Sequence, residues 1–304
     1  MSYKPERIKD IYLYFHEYGL EATAKHFDIQ QETVSRYCRR YKFKKENQRA
    51  PKILLLDIET LPMHFRAWRP GKQYLRVEQM VDGKDWVVLS WSAKWLCAPD
   101  IVSDILIPSE AIERDDGRIC KSIYRLIDEA DILIAHNLDR FDLPSLVSRF
   151  MIHGMKPFSP VQCIDTLKES RKVAKHSSHK LDWIGRLATN EGKLLTDFSL
   201  WVKCEHGNTE ALARMLEYNK DDVRLLEETY LWMLPWIKSH PNIGLYQDSD
   251  GKACKRCGAP VKWVDKYQYT LVNRYDSFKC TRCGSYSRGR RTDITPSERS
   301  TILA

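Results

Sequence analysis

The chain lacks the features that place a protein in or across a membrane. Its 304 residues contain no apolar run near the roughly 18 residues that a membrane-spanning helix needs. Its amino terminus, MSYKPERIKDIY, has no apolar segment of the kind that secretory signal peptides carry. Internal repeats are also absent. We therefore expect a soluble protein of the cell interior, long enough to bury one sizeable core and to carry one or two small modules.

Nine cysteines, an odd number, are too unevenly spread for a disulfide framework. Five are isolated, whereas four form two C-x-x-C pairs in CKRCG and CTRCG, separated by 22 residues. This distribution fits a reducing compartment with one metal site better than it fits disulfides. The paired residues are Cys254, Cys257, Cys280 and Cys283.

Thiolates at this spacing can complete a tetrahedral Zn²⁺ site, and a glycine follows each pair to close the turn. The segment between the pairs, VKWVDKYQYTLVNRYDSFK, alternates like two β-strands. We predict a small β zinc ribbon over residues 250–288 with one structural zinc ion, because a closed four-cysteine site leaves no open position for catalysis. Redox-active cysteines are the alternative. Residues 289–304 are predicted to form a disordered basic tail.

The net charge of +8 is concentrated at the two ends of the chain. Residues 1–52 hold 12 Lys and Arg against 7 Asp and Glu, and residues 251–304 hold 12 against 4. The 198 residues between them hold 25 against 30. Basic flanks around an acidic centre predict flanks that bind a polyanion and a centre that binds cations. The alternative is that the basic ends only keep the protein soluble.

The first 45 residues have the helical spacing of a small all-α module, which we predict to contain three short helices. EATAKHFDIQQETVSRYCRRY resembles a helix-turn-helix of the homeodomain-like kind, with Ala22–Phe27 as the first helix, Asp28–Gln30 as the turn and Gln31–Tyr41 as the recognition helix. Its basic residues are suited to phosphates or to a DNA groove, and they are Arg36, Arg39 and Arg40. The alternative is an ordinary three-helix bundle with a solvated basic face.

After a charged linker at residues 46–52, short apolar runs alternate with helical periodicity. The strand-like runs are Ile53–Glu59, Trp86–Trp95, Ile101–Ile107, Ile132–His136 and Val161–Ile164. The helical stretches are Ile119–Glu129, Leu143–His153, Lys180–Leu187 and Thr209–Ile237. Strands first, with helices interleaved later, predict an α/β domain with a mixed sheet over residues 53–240.

Two acidic residues end the first strand, KILLLDIETLP. Period-two alternation places Asp57 and Glu59 on the same face as Ile53 and Leu55, and apolar residues on both faces indicate a central strand. The face turns acidic at the carboxyl end, where α/β sheets commonly bind ligands. Taken alone, a D-x-E pair is more typical of a solvated strand end.

Two further acids occupy positions where buried elements normally carry apolar residues. Asp142, in ILIAHNLDRFDLPSL, could alternatively cap the helix that begins there. Asp222 interrupts the inward-facing apolar stripe of the last long helix. Tyr218 lies one turn earlier on the same side of this helix, and the alternative is that Tyr218 is an ordinary core aromatic. A buried carboxylate is costly unless it is paired or binds a cation, so a convergent set predicts a site for Mg²⁺ or Mn²⁺.

Together the three acidic segments resemble the DEDD superfamily of 3′–5′ exonucleases, which have the ribonuclease H-like fold. DIET resembles the first motif, HNLDRFD the second and YNKDD the third in its Y-x-x-x-D form. The segments, with SHKLD at residues 178–182, are most similar to the proofreading domain of family B DNA polymerases and to stand-alone bacterial and phage relatives. The resemblance covers about residues 53–235. It implies a free-standing nuclease in the cytoplasm of a bacterial or phage-infected cell.

The resemblance also implies roles for individual residues. The expected ligands of two Mg²⁺ or Mn²⁺ ions are Asp57, Glu59, Asp142 and Asp222. Asp57 would bridge the ions and Tyr218 would orient the attacking water. Two metals roughly 4 Å apart can activate a water and stabilise the charge that builds on a scissile phosphate.

Substrate contacts are expected close to these carboxylates. Asn137 and Phe141 would support the Asp142 loop or contact the terminal nucleotides, and Leu61 or Met63 would wedge against the terminal base. The implied partner is nucleic acid, with DNA favoured, together with a separate polymerase or other replication or repair proteins. Two other interpretations stay open: a nucleic-acid-binding regulator with an inactive nuclease-like core, and a 3′–5′ exoribonuclease.

Overall fold

The computed structural model describes residues 5–40, 49–190, 192, 196–246 and 251–303. The predicted end of the recognition helix at Tyr41 and linker residues 46–48 lie outside the described residues, as do the side chains of Arg39 and Arg40. The chain divides into two compact units, Met1–Arg49 and Ala50–Ala304.

The first unit is helical. Helix α1 spans Pro5–Phe27 and α2 spans Gln31–Arg40. Gly19, with φ 81° and ψ 179°, interrupts α1, so that helical segments lie on both sides of it. Asp28 adopts a left-handed φ of 52° at the turn before α2. Three helical segments are therefore present as predicted, whereas their assignment as a helix-turn-helix and its nucleic-acid binding stay predictions.

The second unit is built on a five-stranded mixed sheet with the order β3-β2-β1-β4-β5. Its strands are β1 Ile53–Leu61, β2 Val87–Trp95, β3 Ile101–Ile105, β4 Ile132–Ala135 and β5 Gln162–Asp165. β1 pairs antiparallel with β2 and parallel with β4. β2 pairs antiparallel with β3, and β4 pairs parallel with β5. The predicted α/β class and the central position of the first strand are confirmed.

The two faces of β1 enter different parts of the core. Leu54 and Leu56 pack in a cluster with residues of α4 and α5, which span Gly117–Glu129 and Asp142–Ile152. Leu55, on the other face, packs in a second cluster with residues of α7 and of the later part of α9, which span Leu181–Thr189 and Thr209–Met233. Because side chains alternate along a strand, the face that carries Leu55 also carries the two acids that follow it.

Three short helices were not expected from the sequence, because each is too brief to establish a helical period. They are α3 Pro108–Glu113, α6 Thr166–Val173 and α8 Phe198–Glu205. Short 3₁₀ turns lie at Val77–Gln79 and Ile243–Leu245. α9 ends at Met233, earlier than the predicted Ile237, because Pro235 has no N–H to continue the helical ladder. No helix within the described ranges is long and apolar enough to cross a membrane.

A small antiparallel sheet lies near the carboxyl end, in the order β6-β7-β8. Its strands are β6 Val261–Tyr269, β7 Arg274–Cys280 and β8 Tyr286–Arg288. It packs onto the central domain, where the buried Arg256 donates from Nε to the carbonyl oxygen of Ile237 at 2.7 Å.

The segment after β8 differs from the predicted disordered tail. The Asp293 carboxylate accepts a hydrogen bond from Arg274 Nε at 2.8 Å, and the Asp293 N–H donates to the Arg274 carbonyl oxygen. Helix α10, Pro296–Ser300, follows, with Thr295 and Glu298 forming a capping box. Polar composition predicted disorder here because it does not register hydrogen bonds to a strand that lies earlier in the chain.

Candidate active site

Three carboxylates meet where β1 passes beneath α9. Asp57 and Glu59 lie on one face of β1, and Asp222 belongs to the buried stripe of α9 that covers this face. One carboxylate oxygen from each lies within 4.8 Å of the others. Asp57 and Glu59 are half-buried and Asp222 is buried. This arrangement offers several oxygen ligands to one small region, as hard divalent cations require.

Asp142 reaches the same strand from α5. Its side chain is only 1% exposed, and Oδ1 accepts a long hydrogen bond of 3.4 Å from the Ile58 N–H, between the two acids of β1. Oδ2 is buried and has no hydrogen-bond partner among the residues that the structure describes. Burial raises the pKa of Asp142 to about 7, although the Ile58 N–H opposes this. A buried carboxylate oxygen without a donor is suited to a cation. The three clustered acids fit a divalent metal site, and Asp142 lies beside the same strand but outside the group whose ligand atoms are within 4.8 Å of one another.

The alternative role of Asp142 as a helix cap does not agree with the structure. α5 begins at Asp142, so the N-cap position is Phe141, whose side chain makes no capping hydrogen bond. The side chain of Asp142 is directed to β1 instead.

Asn219 is a site residue that the sequence analysis missed. It is fully buried, and its Nδ2 donates to Asp57 Oδ2 at 2.7 Å and to the Asp57 carbonyl oxygen at 3.2 Å. Its Oδ1 accepts from Ser90 Oγ at 3.3 Å. Asn219 therefore holds the Asp57 carboxylate from α9. A polar residue three positions before Asp222, on the same helical face, was the signal that could have revealed it.

The loop between β4 and α5 is held by Asp165, which was also missed. Asp165 Oδ1 accepts from the N–H groups of Asn137 and Lys168 at 3.1 Å each, and Oδ2 accepts from the Asp139 N–H at 3.2 Å. Asn137 has a left-handed φ of 82°, which Asn tolerates better than most residues. Asn137 thus helps to shape the loop, while Phe141 leaves 39% of its surface exposed. Their substrate contacts stay predictions.

Tyr218 lies one turn before Asp222 and is half-buried. Its ring packs edge-to-face against Trp201, with 6.1 Å between ring centroids. It also lines a cavity of about 350 Å³ with Arg214 and Glu217. The packing against Trp201 fixes the ring one helical turn before Asp222, and the water-orienting role of its hydroxyl stays a prediction.

The predicted wedge at Leu61 does not agree with the structure. Leu61 has no exposed surface and packs in the cluster that contains Leu54 and Leu56, so a terminal base cannot reach it. Alternation from Asp57 and Glu59 would place Leu61 on their face, but the strand register shifts between Glu59 and Thr60 and turns Leu61 to the covered face of Leu54 and Leu56. Met63 remains exposed. In the first unit, Arg36 is exposed and lies over the ring of Tyr37 at 5.5 Å.

A polar cavity opens beside Asp57. Its volume is about 610 Å³, and its charged lining residues are Asp57, Arg171, Lys180 and Asp182. Arg171 also lines a neighbouring cavity of about 360 Å³, which Arg140 shares. These cavities place cations within reach of the carboxylates, as a phosphate-bearing substrate would need.

The four paired cysteines also come together. Their sulfur atoms lie within 4.8 Å of one another, with 3.7 Å between Cys254 and Cys283 and 3.5 Å between Cys257 and Cys280. A tetrahedron with Zn–S bonds of 2.3 Å needs sulfurs about 3.8 Å apart. Burial opposes ionisation, but hydrogen bonds from Ser285 and the Arg256 N–H lower the pKa of Cys254 to about 7. The donor set therefore fits a tetrahedral zinc ion.

The comparison with family models agrees with the fold. Residues 109–234 match the model of the RNase H superfamily. Among solved structures, the domain is similar to the family B DNA polymerase of the hyperthermophilic archaeon Pyrobaculum calidifontis, with 15% identity and a TM-score of 0.45. That match covers 61% of this chain and 25% of the polymerase. No curated protein matches the sequence. With its 3-2-1-4-5 mixed sheet and flanking helices, the central domain of this chain has the ribonuclease H-like fold, and residues 109–234 of it are similar to the RNase H superfamily.

Proposed function

We propose that this protein is a metal-dependent 3′–5′ exonuclease that hydrolyses phosphodiester bonds at the 3′ end of a nucleic acid, with DNA favoured. The observation that carries the proposal is the convergence of ligand atoms of Asp57, Glu59 and Asp222 within 4.8 Å. Beside the same strand lies Asp142 Oδ2, which has no hydrogen-bond partner among the described residues. An inactive nuclease-like core would gain nothing from two buried and two half-buried carboxylates at one place, because the buried pair, Asp142 and Asp222, is costly without a cation.

The four carboxylates would hold two Mg²⁺ or Mn²⁺ ions. When bound, such a pair supplies an activated water and stabilises the charge that develops on the phosphate. Asn219 fixes the orientation of the Asp57 carboxylate, so that the ligand set is formed before substrate arrives. Tyr218 would position the attacking water, and Arg171 and Lys180 would attract the phosphates of the chain.

The flanking modules would hold the substrate. The four cysteines would bind one structural zinc ion and thereby stabilise the small sheet. The helical unit would contact phosphates through Arg36, Arg39 and Arg40. Metal analysis of the purified protein tests the zinc site: one zinc per chain is expected, and four titratable thiols without zinc would favour redox-active cysteines instead.

The experiment that tests the nuclease uses 3′-labelled and 5′-labelled single- and double-stranded DNA and RNA, with Mg²⁺, with Mn²⁺ or with no divalent ion added. We expect mononucleotides to be released from the 3′ end only when a divalent ion is present. Asp57→Asn should abolish release while DNA binding persists. The matched control is Asp221→Asn, a half-buried neighbour of Asp222 that lies 3.9 Å from Arg224. Equal activity in Asp57→Asn and the unaltered protein would refute the proposal.

A further inference from the structure

The connection between β1 and β2, residues 62–86, is a long excursion that no step of the proposed function uses. We call these residues the arch. Its two ends lie together, because Leu61 pairs with Val87 where the strands meet. Two residues earlier in β1, Glu59 pairs with Ser90. The arch therefore leaves the sheet at the carboxyl end of β1, next to the acidic cluster, and re-enters it at the start of β2.

The base of the arch is fixed to the domain by Arg114. The guanidinium group donates from Nη2 to the carbonyl oxygens of Pro62 at 2.8 Å and Asp85 at 2.7 Å, and it pairs with Glu205. Glu205 also contacts His64 at 2.8 Å. Both ends of the arch are thus held by the guanidinium group of Arg114, the C-cap residue of α3, and by the carboxylate of Glu205 at the end of α8.

Backbone hydrogen bonds also join the two sides of the arch beyond its base. Phe65 and Met80 form an antiparallel bridge, and the Arg66 N–H donates to the Gln79 carbonyl oxygen at 2.9 Å. Gln79 returns a side-chain hydrogen bond to the Arg66 carbonyl oxygen at 3.0 Å. The arch is therefore a stiff two-sided projection up to this level, and the residues beyond it form its tip.

The tip, residues 66–76, is basic and aromatic. It holds Arg66, Arg69, Lys72 and Arg76 and no acidic residue. Trp68 is 99% exposed and Tyr74 is 91% exposed, so neither ring contributes to the core. Large exposed aromatics with this charge are poorly explained by folding, because burying such rings would stabilise the protein. They are explained by a ligand that offers flat apolar faces together with negative charge.

We propose that the arch binds the single-stranded 3′ segment of the polynucleotide substrate, with Trp68 and Tyr74 stacking on bases and the tip cations contacting phosphates. The inference rests on the proposed function for the identity of the site that the strand enters. Base stacking on aromatic side chains tolerates any sequence, so the arch contributes affinity without base specificity. Trp68 lies seven residues beyond Leu61 and is therefore at most about 25 Å from the acidic end of β1. About seven stacked nucleotides cover that distance.

The test compares oligothymidylates of 3 and 12 nucleotides, with binding measured by fluorescence anisotropy in buffer without added divalent ions. Trp68→Ala and Tyr74→Ala should each raise the Kd for the 12-mer by about tenfold. Both should change the Kd for the 3-mer by less than about twofold, because a short strand does not reach the tip. Trp236→Ala is the matched control, since Trp236 is also exposed but lies beyond the far end of α9. Its expected Kd is unchanged.

Salt dependence tests the phosphate contacts separately. Arg69→Gln and Lys72→Gln should each reduce the slope of log Kd against log salt concentration by about one. Both residues are exposed, so folding should be unaffected, and melting temperatures check this.

Hydrolysis assays separate failure of the arch from failure of the nuclease. Loss of 12-mer affinity in the aromatic variants supports the arch even if the unaltered protein digests no substrate, in which case only the proposed function falls. Normal digestion and an unchanged 12-mer Kd in Trp68→Ala/Tyr74→Ala would overturn the arch and leave the nuclease intact. An unchanged 12-mer Kd together with loss of a protein partner would likewise overturn it, and would assign the arch to protein binding.

Discussion

Two aspartates buried in the same domain have opposite surroundings. Asp116 accepts hydrogen bonds from Arg149 Nε and Nη2 at 2.7 Å each, from His153 Nε2 at 2.6 Å and from the Val88 N–H at 2.9 Å. Although burial opposes ionisation, these donors hold the pKa of Asp116 below its ordinary value. Asp142 receives no side-chain donor among the described residues, only backbone N–H groups, its own and that of Ile58 at 3.4 Å, and burial raises its pKa to about 7.

The difference shows how a structural carboxylate can be told from a candidate metal ligand. Asp116, Cys120 and His153 also lie close enough together to hold a metal ion. Arg149 already supplies the positive charge at Asp116, so a cation is not needed there. Asp142 has no such counter-ion on its free oxygen within the described chain. Acidic side chains lie close to other potential ligands at both Asp116 and Asp142. Only at Asp142 does a carboxylate oxygen lack a counter-ion among the described residues.

The largest expected effect is the loss of activity when Asp142, the aspartate without a counter-ion, is replaced. Asp142→Asn should lower kcat/KM for 3′-end hydrolysis at least about 10³-fold, equivalent to about 4 kcal/mol of transition-state stabilisation. The melting temperature should not fall, because the amide has the same shape and removes a buried charge. Steady-state kinetics and thermal unfolding measure the two quantities. A destabilised protein, or one with more than a tenth of the activity, would contradict the assignment.

The next largest effect is the loss of stability when Asp116, the aspartate paired with Arg149, is replaced. Asp116→Asn should lower the free energy of unfolding by about 3–5 kcal/mol, because the Arg149 charge is left buried without its partner. Urea unfolding measures the change. Asp221→Asn serves as the control and should change the free energy of unfolding by less than about 1 kcal/mol, as expected for a surface ion pair. A loss below 1 kcal/mol in Asp116→Asn would mean that the ion pair does not stabilise the fold.

The pH dependence sharpens the same contrast. The pKa of Asp116 is lower in the folded state than in the unfolded chain, so its stabilising contribution is present above the unfolded pKa and is lost as pH falls through the folded pKa. The stability difference between the unaltered protein and Asp116→Asn should therefore shrink below about pH 4. Urea unfolding from pH 7 to pH 3 measures it. A difference that stays constant over this range would contradict the lowered pKa.

A smaller effect is expected at Asn219, which orients a ligand without being one. Asn219→Ala should lower kcat by about 10–100-fold and raise the Mn²⁺ concentration needed for half-maximal activity, because the Asp57 carboxylate loses its donor. The Kd for DNA should stay unchanged. Asn219→Asp, which cannot donate to Asp57, should not restore activity. A loss of activity that no Mn²⁺ concentration relieves would indicate a purely structural role.

The smallest effect is expected at Tyr218. Tyr218→Phe keeps the packing against Trp201 and removes only the hydroxyl, so kcat should fall by about tenfold or less and KM should hold. Single-turnover kinetics measure the chemical step directly. A loss as large as that of Asp142→Asn would make Tyr218 an essential acid or base instead of a positioning residue.

Local patterns predicted much of this molecule because they depend on spacing within one element. Apolar residues on both faces of KILLLDIETLP identified β1 as the central strand, and the same alternation placed its two acids on one face. The C-x-x-C spacing also identified the two cysteine pairs as a candidate zinc site. It failed at Leu61, whose burial depends on what covers the sheet, and at α3, α6 and α8, which are too short to show a period.

The sequence by itself determined the element types, the acidic end of β1, the interrupted stripe of α9 and the thiol pairs, because each follows from residues a few positions apart. Only the tertiary structure decided which buried aspartate is neutralised and which keeps an open oxygen. Arg149 is 33 residues from Asp116, Ile58 is 84 from Asp142, and Asn219 is 162 from Asp57. Separations of this size close only when the sheet and its helices pack, and no local pattern encodes which side chains then meet.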